Sequence, residues 1–491
     1  RIIREKRNVN SKASSERREK GVLIIGAGDA GEKVIREIVA HPELNYRIVG
    51  ILDDDERKKG GKIHGYTVFG KIDRLPYIVN EMGVDIVLIA IPSASKELLR
   101  KIVSLASDTP TEVKTLPGIW EIIGGEVNVS SIRNVQLEDL LSRPSIKTDT
   151  DSVKKYIKNG VVLVTGAGGS IGSEIVRQVA MFSPKKIILL DKGENGVFEI
   201  ERELVDERNF HKEVPVICDI RDKDKVFKIF DEYKPDVVFH TAAHKHVPLM
   251  ESNPDEAVTN NIFGTKNLLD AAVKYGTGRF VNISTDKAVD PTSIMGTSKR
   301  VTEKMLQYYA KDNPKAVFTS VRFGNVLGSA GSVIEVFKRQ IRGTGILTVT
   351  DPKMERYFML IPEAVQLVLQ AGALGDGGEI FVLKMGDRVN VLELAKTFAK
   401  LSGFKVGKDV QIKITGNRGG EKILEELWDK EEAVEDTENP YILKIRPDDG
   451  VVKKEEFFEI LDQLKTAAVD MDFGKVRKIF MEIIPEARLE A

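Results

Sequence analysis

The sequence predicts an α/β protein made of two tandem doubly wound parallel sheets, the second larger than the first and followed by a small C-terminal part. Three observations predict it. Strand-like apolar runs alternate with helix-period segments from Gly21 onward, the pattern of consecutive parallel β-α units. Two of those runs open into glycine-rich turns, "IIGAGDAGEK" at 24–33 and "VTGAGGSIGSE" at 164–174. At 491 residues the chain also exceeds what one hydrophobic core organises.

The first sheet begins at "GVLIIGAGDAGEKVIREIVA", a buried strand, a glycine turn and a helix in which Gly26, Gly28 and Gly31 keep the G-x-G-x-x-G spacing. "RIVGILDDD" is the next strand, ending near Asp53, and "GVDIVLIAIPS" is a third. Glycines and carboxylate together form a dinucleotide-type fingerprint, so Gly26, Gly28, Gly31 and Asp53 are a possible second nucleotide site. A fold of this kind that binds nothing catalytic stays equally open. The second sheet carries the stronger signature. Val161–Thr165 is its first strand, and Gly166, Gly169 and Gly172 follow with a helix whose N-terminus offers free N–H groups to a pyrophosphate. Ser170 and Ile171 belong to the same cradle. "KKIILLD" ends at Asp191, placed to accept from both adenosine ribose hydroxyls and to favour NAD over NADP. "VPVICDIRD" brings Asp219 and Ile220 toward the adenine, and "PDVVFHTAAHKHVPLME" supplies Ala242 and Ala243, small enough to leave room for a cofactor. Both folds are thus Rossmann-like.

Composition narrows the functions open to such a chain. Hydrophobic residues at 42% and charged residues at 30% are ordinary, and a net charge of -1 leaves no electrostatic footprint for nucleic acid. The single cysteine, Cys218, forms no intrachain disulfide, which fits a reducing compartment. His240, His244 and His246 straddle a strand end and its loop rather than one helix face, so no protein-bound metal is expected. No run of about 18 apolar residues is present, and no membrane span is expected within the chain. The lead-in "RIIREKRNVNSKASSERREK" holds eight Lys/Arg against three Glu, which suits a juxtamembrane segment beside anionic lipid and a solvated tail equally well.

The candidate chemistry lies where a fifth strand, "RFVNISTDKAV", ends in Ser284, Thr285, Asp286 and Lys287, the sheet edge at which doubly wound folds act. Met295 and Lys299 follow four residues apart, one helical turn. Asp286, Lys287 and Lys299 therefore converge near the place of a nicotinamide. With "TGAGGSIG", "NNIFGTKNL", "STDKAVDPTSIMGTSK", "VRFGNVLGSAGSV", "TVTDPKMERYFM" and "RGGEK", the segment from about Val161 to Arg446 resembles extended short-chain dehydrogenase/reductases acting on nucleotide sugars. More narrowly it resembles the UDP-N-acetylglucosamine 4,6-dehydratases of bacterial glycan biosynthesis, and the whole chain resembles their long membrane-anchored branch.

That resemblance implies NAD as cofactor, a UDP-sugar as substrate and three steps: oxidation at C4, loss of water across C5 and C6, and hydride return to C6, with C5 configuration retained. It implies that Met295 stands where relatives have a catalytic tyrosine. Methionine has no proton to exchange, so Lys299 is expected to deprotonate the C4 hydroxyl, its pKa lowered by like charge on Lys287 and by the oxidised cofactor. Lys287 is expected as the C5 base, Asp286 as the acid at the C6 hydroxyl and Thr285 as a hydrogen-bond partner of the C4 oxygen, a strand-end cap being its plainer use. On the substrate side the resemblance points to Asn325, to Arg356, and to Arg418 with Glu421 around the pyrophosphate and ribose; Lys245 and His246 face the cleft by position, and a packing role fits His246 as well. Gly419 and Glu335 replace family prolines and are expected to loosen their loops. Expected boundaries are a basic lead-in at 1–20, a first domain at 21–140, a linker at 141–160, the catalytic domain at 161–448 and a helical tail at 449–491. A homo-oligomer is expected, held at the cytoplasmic face of the bacterial inner membrane through an upstream anchor, this portion being soluble. A nucleotide-sugar 4-epimerase, which should retain the tyrosine, and a non-catalytic sensor of NAD or sugar nucleotide are the alternatives.

Overall fold

Short, almost wholly apolar runs become the central strands of two sheets, because strands covered by helices on both faces have no solvent side to satisfy. The structure, a computed structural model, describes residues 19–106, 109, 111–116, 132–141, 149–417, 419–446 and 453–489. The chain divides into two compact units, residues 1–145 with 400–404, and 146–399 with 405–491. In the first, β1 (Lys20–Ile25), α1 (Asp29–Ala40), β2 (Tyr46–Leu52), β3 (Ile86–Ile89), β4 (Glu112–Thr115) and β5 (Arg133–Asn134) give a sheet of order β2-β1-β3-β4-β5. All neighbours pair in parallel except β4 with β5. Val34, Ile35 and Ile38 of α1 pack with Val22 and Ile24 of β1.

The second unit opens with α2 (Thr150–Ile157), β6 (Val161–Thr165), α3 (Ser170–Ala180), β7 (Lys186–Asp191), β8 (Glu213–Ile217), β9 (Val237–His240) and β10 (Arg279–Ile283). It continues through α4 (Ile294–Asp312), β11 (Val317–Arg322), α5 (Ile361–Leu374), β12 (Ile380–Leu383), β13 (Val434–Asp436), β14 (Ile442–Ile445), α6 (Lys454–Val469) and α7 (Phe473–Ile483). The sheet runs β8-β7-β6-β9-β10-β11-β12-β14-β13. It is parallel as far as β12 and ends in an antiparallel hairpin-like edge. Strand order reverses between β6 and β9, which opens the ligand crevice of a doubly wound sheet at their carboxyl ends.

Two sequence expectations need correction. Residues 149–160, assigned to a linker, hold α2, whose Val153 and Ile157 are buried in the core shared with β6 and α5. The C-terminal stretch is helical, in line with its sequence, and Phe457, Leu461, Leu464 and Phe480 share a core with Met305 and Leu306 of α4 and Phe280 of β10. Glu335 lies in the first turn of a helix (Val333–Gly343) instead of loosening a loop; it pairs with Lys338 at 2.9 Å and its charge suits the positive helix end. Most of the basic lead-in lies outside the described residues. Among the described residues no helix is long and apolar enough to cross a membrane.

Candidate active site

The cradle at the end of β6 depends on close backbone approach. A Cβ on Gly172 would lie 2.0 Å from Gly166 O, so only glycine lets α3 close against the strand. Asp191 fixes the turn from the next strand, accepting the Gly168 N–H at 3.1 Å and the Gly193 N–H at 2.9 Å. The first unit repeats this device: Asp53 accepts the Ala27 N–H, between Gly26 and Gly28, at 2.7 Å, and a Cβ on Gly31 would meet Gly26 O at 2.1 Å. The two turns differ in charge. The first turn of α3 holds no acidic residue, leaving its dipole free for an anion. That of α1 holds Asp29 and Glu32, which answer the dipole themselves, and Lys58 Nζ sits 3.0 Å from Asp53.

A cleft of about 1170 Å³ opens over the second cradle. Its wall brings together Gly166, Gly169, Ser170, Ile171, Gly172, Asp191, Asp219, Ile220, Ala242 and Ala243 with Lys245, His246, Thr285, Lys287, Met295, Lys299, Asn325, Arg356 and Glu421. These residues fit a dinucleotide: the glycine turn is a hollow that any side chain would fill, with a helix N-terminus beneath it and a carboxylate at the neighbouring strand end. Asp286 is not in that wall, and Arg418 lies outside the described residues.

The reacting groups are held by a second close approach. Ser293 caps α4, its Oγ accepting the Gly296 N–H, and a Cβ on Gly296 would stand 2.2 Å from Lys287 O. The helix carrying Met295 and Lys299 therefore lies directly on the turn carrying Asp286 and Lys287. Asp286 is fully buried behind the wall. Its Oδ1 accepts from Thr285 Oγ1 at 2.9 Å and from Lys287 Nζ at 3.0 Å, and its Oδ2 has no partner among the described residues. Burial pushes the Lys287 ammonium down, but Asp286 and Glu425 outweigh it and hold the amine above its ordinary range. Lys299 is the reverse case: burial pushes it down to about 8 against the opposing pull of Glu303. The lowering expected from Lys287 is not its cause; desolvation is. Met295, 3% exposed, packs in the core cluster and contributes no proton.

On the substrate side Lys245 Nζ donates to Ala330 O at 2.9 Å while the Ala330 N–H donates to Ser170 Oγ at 3.1 Å, so the glycine loop after Leu327 bridges cradle and cleft. His246 is exposed in the cleft wall, its ring beside Gly331. Asn325 Oδ1 lies 3.5 Å from Lys287 Nζ. Arg356 lines the cleft, and its guanidinium also donates to the carbonyls of Glu355, Ile423 and Lys422 at 2.6–2.9 Å, fastening the loop behind Glu421. His240 is a satisfied core residue between Thr165 and Thr265, and His244 faces Glu256; among the described residues no His/Cys/Asp/Glu cluster suits a metal.

Several participants were invisible to motif reading. Ser284 Oγ donates to the buried Glu303 at 2.6 Å, and Glu303 takes a fork from the equally buried Arg322 at 2.7 Å on each oxygen. Arg322 and Arg300 also reach Glu432, tying the last loop to the strand end that bears Thr285. Lys422 Nζ donates to Val289 O at 2.7 Å and Thr292 Oγ1 to Gly420 O at 3.0 Å, so the loop after Gly416 is docked on the catalytic turn. At the same seam burial and the neighbouring Asp429 push the Asp290 carboxyl up to about 6, Lys422 opposing and Glu426 adding to the rise. A carboxyl raised above its unfolded value of 3.8 contributes stability that is full below that pH and is lost as pH rises through about 6. Asp290→Asn, which still donates to Asp429, is therefore expected to raise Tm at pH 8 by roughly 1–3 °C and to show no gain at pH 4 in thermal melts.

A doubly wound sheet with a pyrophosphate cradle, a strand-end Thr-Asp-Lys and a lysine one turn into the following helix defines an extended short-chain dehydrogenase/reductase. Within that class the chain belongs to the polysaccharide biosynthesis protein family, matched over residues 162–447, while residues 4–117 match a CoA-binding domain. It is 46% identical over 416 residues to the capsular polysaccharide biosynthesis protein CapD of Staphylococcus aureus, covering 84% of this chain and 69% of that one. It is 31% identical over 303 residues to the UDP-N-acetylglucosamine 4,6-dehydratase (inverting) of Campylobacter jejuni, covering 61% and 86%. A UDP-glucose 4-epimerase of Rickettsia bellii is 36% identical over 289 residues, covering 57% and 81%.

Proposed function

We propose that the chain is an NAD-dependent nucleotide-sugar 4,6-dehydratase that converts UDP-N-acetylglucosamine to the UDP-4-keto-6-deoxy sugar. The observation that carries this reading is the Asp286–Lys287 contact of 3.0 Å at the foot of the cleft, with Lys299 in the same wall. Epimerisation needs one base; elimination needs a base and an acid together. Bound NAD would supply the acceptor of hydride from C4 and its donor to C6.

Lys299, with a pKa near 8, is neutral often enough near neutrality to take the C4 hydroxyl proton that Met295 cannot. The resulting ketone acidifies the C5 proton. Moving one proton from Lys287 Nζ to Asp286 Oδ1 turns the ion pair into an amine and a carboxylic acid with no change in the charge of the site. Lys287 then takes the C5 proton. Thr285, expected at the C4 oxygen, is also the hydroxyl that links buried Asp286 to the cleft, so it relays the acid's proton to the departing C6 hydroxyl. Ammonium and carboxylate are restored by that step, and Lys287 returns its proton to C5 from the face it was taken, retaining the configuration. The proton that Lys299 took from the C4 hydroxyl passes through solvent to Lys287, resetting both amines.

The test is the mass of the product from UDP-N-acetylglucosamine. Loss of one water is expected. An isomer of unchanged mass would favour the 4-epimerase, and untouched sugar would favour a sensor.

A further inference from the structure

Glu425 is an acidic cleft residue that no motif singled out. It lies four residues beyond Glu421 in a segment pinned by a parallel bridge between Glu355 and Leu424 and by the carbonyls that Arg356 holds. It is 2% exposed yet forms part of the cleft wall. Its Oε1 stands 3.6 Å from Lys287 Nζ and 3.8 Å from Arg356 Nη2, while Oε2 is buried with no hydrogen-bond partner among the described residues. An unpaired buried acceptor is costly and calls for a reason. A ligand hydroxyl entering the cleft would remove the cost.

We propose that Glu425 is a positioning residue for Lys287, sharing with Asp286 the task of fixing the amine's charge and offering Oε2 to a hydroxyl of the bound hexose. This rests on the dehydratase reading. The charged groups that bear on Lys287 are Asp286 and Glu425, which favour its ammonium form, and Arg356, which opposes it alongside burial. Without the Glu425 charge Asp286 stands alone against Arg356 and desolvation, so Lys287 becomes a free amine at lower pH.

Glu425→Gln keeps the shape and removes the charge. With UDP-N-acetylglucosamine as substrate, the alkaline limb of kcat/KM for water loss, where Lys287 and Asp286 no longer share a proton, is expected to move to lower pH, the variant keeping roughly one fifth of the wild-type rate on that limb. Glu425→Asp, which keeps the charge, should leave the limb near the wild-type position. A purely structural role would lower the melting temperature without moving the limb, and a Glu425→Gln profile superimposable on the wild type overturns the proposal. Wild-type protein that releases no water from the sugar would instead remove the dehydratase reading itself.

Discussion

Lys287→Ala is expected to stop the loss of water, by about 10²–10⁴-fold, while oxidation at C4 continues. Lys287 is the amine of the cleft wall that meets Asp286 at 3.0 Å, and Lys299, on the neighbouring helix, is untouched by the change. Reduced nicotinamide should therefore accumulate in a single turnover, read by absorbance, with no dehydrated product in the mass spectrum. The substitution also strands Asp286 and Glu425 as buried carboxylates, so a fall in Tm accompanies it. Asp286→Asn separates the two effects: it keeps the shape and a partner for Lys287 but has no proton to give, and water loss should fall by a similar factor. Normal turnover in either variant would remove that residue from its role.

Lys299→Met is expected to stop the reaction one step earlier, with neither reduced nicotinamide nor product above about 10⁻² of the wild-type rate. In the wild type the rate of C4 oxidation should climb with pH and level off above about 8, because burial brings the amine into its neutral form there. The sign for stability is opposite to that for activity. A lysine whose folded pKa lies below its unfolded value weighs on the native state wherever it is charged, so replacing it with methionine should raise Tm at pH 7 while abolishing chemistry. Lower Tm with intact activity would mean that Lys299 is a packing residue.

What the sequence revealed was local. Gly166, Gly169 and Gly172 announce a cradle because their spacing alone dictates the approach of a helix to a strand, and Asp191 and Thr285 to Lys287 are readable because strand ends in this sheet face one edge. Met295 and Lys299 share a helix face by period. The rest depends on partners far apart in the chain. Glu425 reaches Lys287 across 138 positions of sequence, and Glu432 meets Arg322 across 110. Arg356 looks like a phosphate ligand by residue type, and only the fold shows that three of its donors also hold the carbonyls of 355, 422 and 423. The helices after 453 carry an ordinary amphipathic pattern, which says that they bury a face without saying which core receives it. Burial decided the lysines too: the chain order suggested mutual repulsion, whereas desolvation sets Lys299 and two carboxylates set Lys287.

In the proposed reaction hydride leaves C4 and returns to C6 of the same hexose, with an acid and an amine from one strand end removing water in between. UDP-N-acetylglucosamine deuterated at C4 tests it most directly. The product should be lighter by one water and carry the deuterium on its C6 methyl group. Deuterium still at C4, or lost to solvent, would contradict it.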